Sequence, residues 1–158
     1  MRYVRRVLQP GETIVYSTKL HWLVYVNAIL FGVVCIILIG AAIATNDNQN
    51  LSLALVIAAI IFGLLALSAG LRGFIRRATT ELAVTDHRVI YKSGLLSRHT
   101  IEMNRDKVES VDVDQSLLGR IFGYGTVVVR GTGGSLEPIR NIGDPLTFRT
   151  YITASPTA

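Results

Sequence analysis

The sequence predicts a two-helix transmembrane hairpin joined to a small, mainly β domain, and three observations predict it. Residues 22–44 ("WLVYVNAILFGVVCIILIGAAIA") and 51–71 ("LSLALVIAAIIFGLLALSAGL") contain no charged side chain. Each reaches the ~20 helical residues needed to span a bilayer core. Past residue 77 the pattern changes to short alternating runs separated by turn residues, as in an antiparallel sandwich or barrel. Half of the 158 residues are hydrophobic, only 17% are charged, and the mean hydropathy of +0.43 exceeds that of an ordinary soluble domain. The expected segments are a cytoplasmic N-terminal stretch (1–21), two spans (22–44 and 51–72) around an external turn (45–50), a β domain (78–153) and a flexible tail (154–158).

Ala42-Ile43-Ala44 imitates a signal-peptide cleavage site, but the apolar run before it exceeds the ~7–15 residues of a signal h-region. A second uncharged span also follows after "TNDNQN", which makes a hairpin the simpler account. Arg2, Arg5, Arg6 and Lys19 precede the first span, and Arg72, Arg76 and Arg77 follow the second, whereas the turn carries only Asp47. The positive-inside rule then puts both termini in the cytoplasm. Trp22 and Tyr25 fall where an interfacial aromatic anchor belongs, and the lone Cys35, at mid-span, is expected to serve packing.

Small residues recur in the second span as Ala59, Gly63, Ala66, Gly70 and Gly73, at helical spacing. In the first span Ala28, Gly32, Cys35 and Ala42 follow a similar seam, interrupted by Ile39. Such faces let helices approach closely in lipid. The two seams either pack against each other within one hairpin, or one of them mates protomers. No Asp, Glu, Lys, Arg or His lies within residues 22–44 or 51–71, which argues against a carrier or pump.

In the β domain, "TTELAVT" sets Leu82 and Val84 on one face, "RVIYKS" pairs Val89 with Tyr91, and "HTIEMN" pairs Ile101 with Met103. "KVESVDVDQ" sets Val111 and Val113 opposite Asp112 and Asp114, and "TVVVRG" and "LEPIRNI" continue the pattern. "QSLLGRIFG" reads as a short apolar helix tucked under the sheet. In "DPLTFRTYI", Asp144 as N-cap and Pro145 at the first helical position start a closing helix, with Leu146, Phe148 or Arg149, and Ile152 along one side. Upstream of the spans, "LQPGETIVYSTK" turns at Pro-Gly and alternates through Ile14 and Tyr16. A strand there has no local partner and is expected to return to the sheet beyond the hairpin.

The chain resembles the bacterial membrane-associated pleckstrin homology (PH) domain proteins along nearly its whole length. The resemblance is carried by Pro10-Gly11-Glu12, by His21-Trp22, by the two helices, and by "ELAVTDHRVIYKSGLLSR", "KVESVDVDQSLLGRIFGYGTVVVRGTGG" and "NIGDPLTFRTYI". It implies a PH-like fold of two antiparallel sheets closed by a C-terminal helix. It also implies a non-catalytic role, with members commonly homo-oligomeric or acting in membrane assemblies. The expectation is therefore an inner-membrane scaffold or oligomer-forming module, with anionic-lipid sensing or an accessory role in a larger membrane complex as alternatives. The better-known PH domains grip inositol phosphates with a Lys/Arg pattern in an early loop. Lys92 and Arg98 begin such a pattern here, but Thr100 stands in place of its last Arg. Nonspecific contact of Arg72, Arg76, Arg77, Arg88, Lys92 and Trp22 with the lipid headgroup layer is the expectation in its stead.

Other chemistry is weakly supported. "DVDQS" begins like a calcium loop, but Leu117 and Gly123 stand where that loop requires Gly and Glu. His21, His87 and His99 lack zinc-motif spacing, and no G-x-S-x-G elbow occurs. In "RIFGYGTVVVRGTGG" a β-branched strand leaves Gly123 and Gly125 where a phosphate loop needs a helix. Gly131, Gly133 and Gly134 read as the positive-φ residues of the next hairpin. From Phe74 onward 11 basic side chains intersperse with 9 acidic ones, so the net charge of +5 is no nucleic-acid signature. No cofactor, metal or small-molecule substrate is expected; the expected partners are the bilayer and either a second copy or another membrane protein.

Overall fold

The computed structural model describes residues 3–95, 99–132, 134–135 and 138–154. Arg98, Gly133 and most of the tail 154–158 therefore lie outside the described residues. The chain divides into two compact units, Met1–His21 with Arg76–Ala158, and Trp22–Ile75.

The first unit holds two four-stranded antiparallel sheets, and its second half begins on the last turn of a long helix, α3 (Gln49–Thr79). One sheet has the order β1-β2-β3-β4: β1 (Ile14–Thr18), β2 (Glu81–Thr85), β3 (Arg88–Ser93) and β4 (His99–Asn104). The N-terminal segment supplies β1, which pairs with β2 from Ile14↔Thr85 to Thr18↔Leu82. The other sheet contains β5 (Val108–Asp114), β6 (Tyr124–Gly131), β7 (Gly134–Ser135) and β8 (Ile139–Gly143), with β6 bonded to all three others. The two sheets join at one corner, where Leu20 bridges Ile142 and the Gly143 N–H donates to the Lys19 carbonyl.

The alternation read from the sequence becomes the core. Leu82, Val84 and Val89 from one sheet meet Val111, Val127, Val129, Ile139 and Ile142 from the other, with Tyr91, Ile101, Met103 and Val113 packed around them. α5 (Pro145–Thr153) closes the open side by burying Phe148 and Ile152. Leu146 points outward, and Asp144 takes a left-handed conformation with no side-chain cap, so Pro145 rather than the aspartate carboxylate favours the start of this helix. β2 is buried on both faces because a short helix, α1 (Val4–Val7), covers the second one through Val4, Ala83 and Ile90. Four residues are too few to show helical periodicity, so α1 left no trace in the sequence pattern.

The structure corrects two expectations here. α4 (Leu117–Phe122) is not tucked under the sheet: Leu117 is 79%, Leu118 59%, Ile121 74% and Phe122 49% exposed. Its inward residue is Gly119, whose added Cβ would fall 2.7 Å from the Tyr124 carbonyl. Leu117 and Ile121, two residues to either side, then lie roughly 200° around the helix and face out. The glycines also divide differently. Gly123 and Gly134 have positive φ, whereas Gly125 and Gly131 do not; at those two a Cβ would meet the Asp114 carbonyl at 2.8 Å and the Lys107 carbonyl at 2.5 Å. Close approach of β6 to β5 explains that pair.

The second unit is helical. A 3-10 turn (Trp22–Tyr25) leads into α2 (Val26–Ala44), and α3 runs beyond both ends of the expected 51–72. Both helices are long and apolar enough to cross a membrane, and their large side chains, such as Ile36 and Leu67, face outward. That distribution suits a lipid solvent, in which Leu and Ile gain nothing by burial and small residues bring helices together.

Candidate membrane-facing site

The small-residue seam lies between α2 and α3. Ala59 is buried, a Cβ on Gly63 would touch Cys35 Sγ at 3.5 Å, and one on Gly70 would touch Ala28 Cβ at 3.7 Å. Cys35 Sγ donates to the Ala59 carbonyl at 3.2 Å, and Phe31 and Phe62 meet at a ring separation of 6.1 Å. Ala66 is half-buried, while Gly32 would meet nothing within 4 Å. Of the two readings of the seam, packing within one hairpin describes Ala59, Gly63 and Gly70. A groove of about 680 Å³ between the helices is lined mainly by apolar side chains such as Ile39, Val56 and Ile60; its polar residues are Asn46 and Ser52, and the Ser52 hydroxyl donates to the Ala42 carbonyl at 3.1 Å.

The expected headgroup cations do not form one set. Arg72, Arg76 and Arg77 are exposed along the last turns of α3, where Arg72 Nε donates to the Ser68 carbonyl at 3.3 Å. Trp22 is exposed at the start of the 3-10 turn. Lys92 is half-buried, its Nζ 5.9 Å from the centroid of the Tyr3 ring, and it pairs across the sheet with Glu81, next to the end of α3.

Arg88 is placed otherwise, and this corrects its expected headgroup role. It sits at the opposite end of β3 from Lys92, beside the β2–β3 turn, with its side chain only 13% exposed. Its Nε and Nη2 donate to the two oxygens of Glu12 at 2.9 and 2.8 Å, its Nη1 to Glu102 at 2.6 Å, and its Nη2 also to the Val7 carbonyl at 2.7 Å. Glu12, 2% exposed, further accepts from the Gln9 N–H at 2.8 Å and the Thr85 hydroxyl at 2.7 Å. A bidentate guanidinium–carboxylate pair with every lone pair occupied offsets the desolvation of its charges. Burial pushes the Glu12 carboxyl up, but the bonds from Arg88, Gln9 and Thr85, with the Arg88 charge, hold it below its ordinary value. The motif Pro10-Gly11-Glu12 thereby locks the N-terminal segment onto β2 and β3. The same segment is held by Glu81, which accepts from the Tyr3 and Val4 N–H groups, and by Asp86, which accepts from Thr13.

His21 is the last residue of the first unit before the apolar stretch. Its N–H donates to the Asn141 carbonyl at 2.7 Å, and its ring stacks on Tyr124 at 5.5 Å and hydrogen-bonds the backbone of Phe122, at the end of α4. Neither this clamp nor the exposure of α4 was visible in the sequence, where Phe122 and His21 are far apart. Among the described residues no group of His, Cys, Asp and Glu is arranged to hold a metal ion.

Two antiparallel sheets closed by a C-terminal helix, appended to two long apolar helices, define a membrane-associated PH module. The family described as bacterial PH domain matches residues 23–155, and the chain belongs to that family. No curated protein and no solved structure matches it.

Proposed function

We propose that the chain is a non-catalytic scaffold of the inner membrane, anchored by the α2–α3 hairpin with both termini in the cytoplasm, whose PH-like domain recruits a second copy or another membrane protein. The observation that carries this reading is the outer edge of β4. It ends its sheet in the order β1-β2-β3-β4, with no further strand bonded to it among the described residues. An unpaired antiparallel edge accepts a strand from a partner through main-chain hydrogen bonds. The internal engagement of Arg88 weighs the same way, because it removes one cation from the lipid-sensing alternative.

The test is the mass of the full chain purified in mild detergent. The expected result is one homogeneous multiple of 17.3 kDa, or a stoichiometric second membrane protein. A monodisperse monomer overturns it. Exposed Arg76 and Arg77 favour lipid sensing as the second reading, and the same preparation tests it: co-purified lipid should be enriched in anionic headgroups over the membrane from which it came.

A further inference from the structure

We infer that α4 is a lipid-immersed wedge: its outward apolar face sits in the headgroup–acyl boundary of the bilayer beside the point where the chain enters it. The inference rests on the reading of the α2–α3 hairpin as membrane-spanning.

Two independent features converge on it. The first is the exposure of Leu117, Leu118, Ile121 and Phe122, four large apolar side chains on six residues. Water disfavours a contiguous apolar face of this kind, and its presence on a folded domain marks a contact surface. The helix is mounted rigidly to present it. Ser116 Oγ accepts from the Gly119 N–H at 3.1 Å, Gln115 Nε2 donates to the Tyr124 carbonyl at 3.0 Å, and Gly123 ends the helix in a left-handed conformation.

The second feature is location, and it identifies the occupant. His21 is clamped between the end of α4 and β8 by its contacts with Phe122, Tyr124 and Asn141, and the next residue, Trp22, begins the apolar stretch. One covalent step therefore separates the group holding Phe122 from the indole expected at the bilayer interface. The chain itself thus tethers α4 next to the expected bilayer interface, which favours lipid over a second protein as its occupant. Arg120, the one charged residue of the helix, is exposed and can extend its guanidinium to the headgroups while its stem stays in apolar surroundings. Short apolar faces held in this way bury about 5–10 Å into the boundary region.

The test uses the full chain with Cys35→Ala, reconstituted in phosphatidylcholine–phosphatidylglycerol vesicles. Single cysteines at Ile121→Cys, Leu64→Cys or Glu109→Cys carry an environment-sensitive fluorophore, and lipids brominated at different acyl depths serve as quenchers. The expected result is a blue-shifted, quenched label at Ile121→Cys, about 5–10 Å below the headgroups, a deeply quenched one at Leu64→Cys, and an unquenched one at Glu109→Cys. Quenching at Leu64→Cys without quenching at Ile121→Cys overturns the wedge and leaves the spanning hairpin standing; excimer formation at Ile121→Cys in that case names a second copy as the occupant. Absence of quenching at both overturns the wedge together with the reading it rests on. Equal quenching at Glu109→Cys also overturns it, since the whole domain rather than α4 would then lie on the lipid.

Discussion

Glu12 and Arg88 are separated by the whole α2–α3 hairpin in sequence and by 2.8 Å in space. Removing the carboxylate strands a guanidinium that is nearly buried, and Glu12→Ala is expected to destabilise the domain by about 3 kcal/mol, the low end for a broken buried pair because Glu102 and the Val7 carbonyl still hold Arg88. Hydrogen exchange of β2 and β3 in the full chain would report it; protection unchanged from the parent would refute the role. The pH dependence has a definite sign. A carboxyl lowered on folding contributes stability that is fully present above its unfolded value, about 4.3, and lost as pH falls through the folded value. The margin between the parent chain and Glu12→Gln should therefore be constant near neutrality and close in acid. The histidines diverge in a similar way. Burial, reinforced by Arg77 and opposed by the Phe122 backbone, pushes His21 below 6.5, while the hydrogen bond to Asp86 pushes His87 above it. A nuclear magnetic resonance titration should find His21 losing its proton at a lower pH than His87; a reversed order would contradict the clamp at the end of α4.

At the scale of elements, two glycines in one fifteen-residue stretch test different physics. Gly123→Ala meets nothing within 4 Å but must hold φ +71°, which costs an L-residue about 1–2 kcal/mol. Gly131→Ala has ordinary φ but puts a methyl 2.5 Å from the Lys107 carbonyl and 2.8 Å from Met103 Sδ, so β6 must move away from β5 at a cost of about 1–3 kcal/mol. Unfolding of the two variants in detergent should show both destabilised. Only Gly131→Ala should lose amide protection at the Val108 end of β5; loss there in Gly123→Ala would show that the assignments are wrong. α4 carries the complementary lesson. Its composition announces an apolar helix, but which way the face points depends on Gly119 seating against the Tyr124 carbonyl, a contact no periodicity encodes.

For the whole molecule, the proposed topology, with both termini in the cytoplasm, is open to a direct test. In a Cys35→Ala background, Asp47→Cys in the turn between the spans should react with a membrane-impermeant maleimide added outside intact cells. Glu109→Cys in the β domain should react only after permeabilisation. The opposite pattern would overturn the orientation. The fold itself was largely legible. Uncharged stretches of bilayer length mark α2 and α3, and period-two alternation placed Leu82, Val84, Val89, Val111 and Val113 on the faces that build the core. Arg88 was misread because a lone arginine near a turn looks the same whether it is solvated or locked, and its partners Glu12 and Glu102 come from separate strands and loops.

The sequence by itself determined the hydropathy and period of each part of the chain, because charge position and apolar spacing act over contiguous residues. It determined that two helices are long and apolar enough to cross a membrane, that the strands bury alternate faces, and that a β-branched run must leave the glycines at 123 and 125 as a strand. Only the tertiary structure decided which charges are available and which apolar groups stay uncovered. Those are properties of distant pairs: Glu12 with Arg88, Gly119 with the Tyr124 carbonyl, His21 with Phe122. A guanidinium is neutralised, and a helix face exposed, by whatever the fold brings within about 3 Å, the reach of a hydrogen bond.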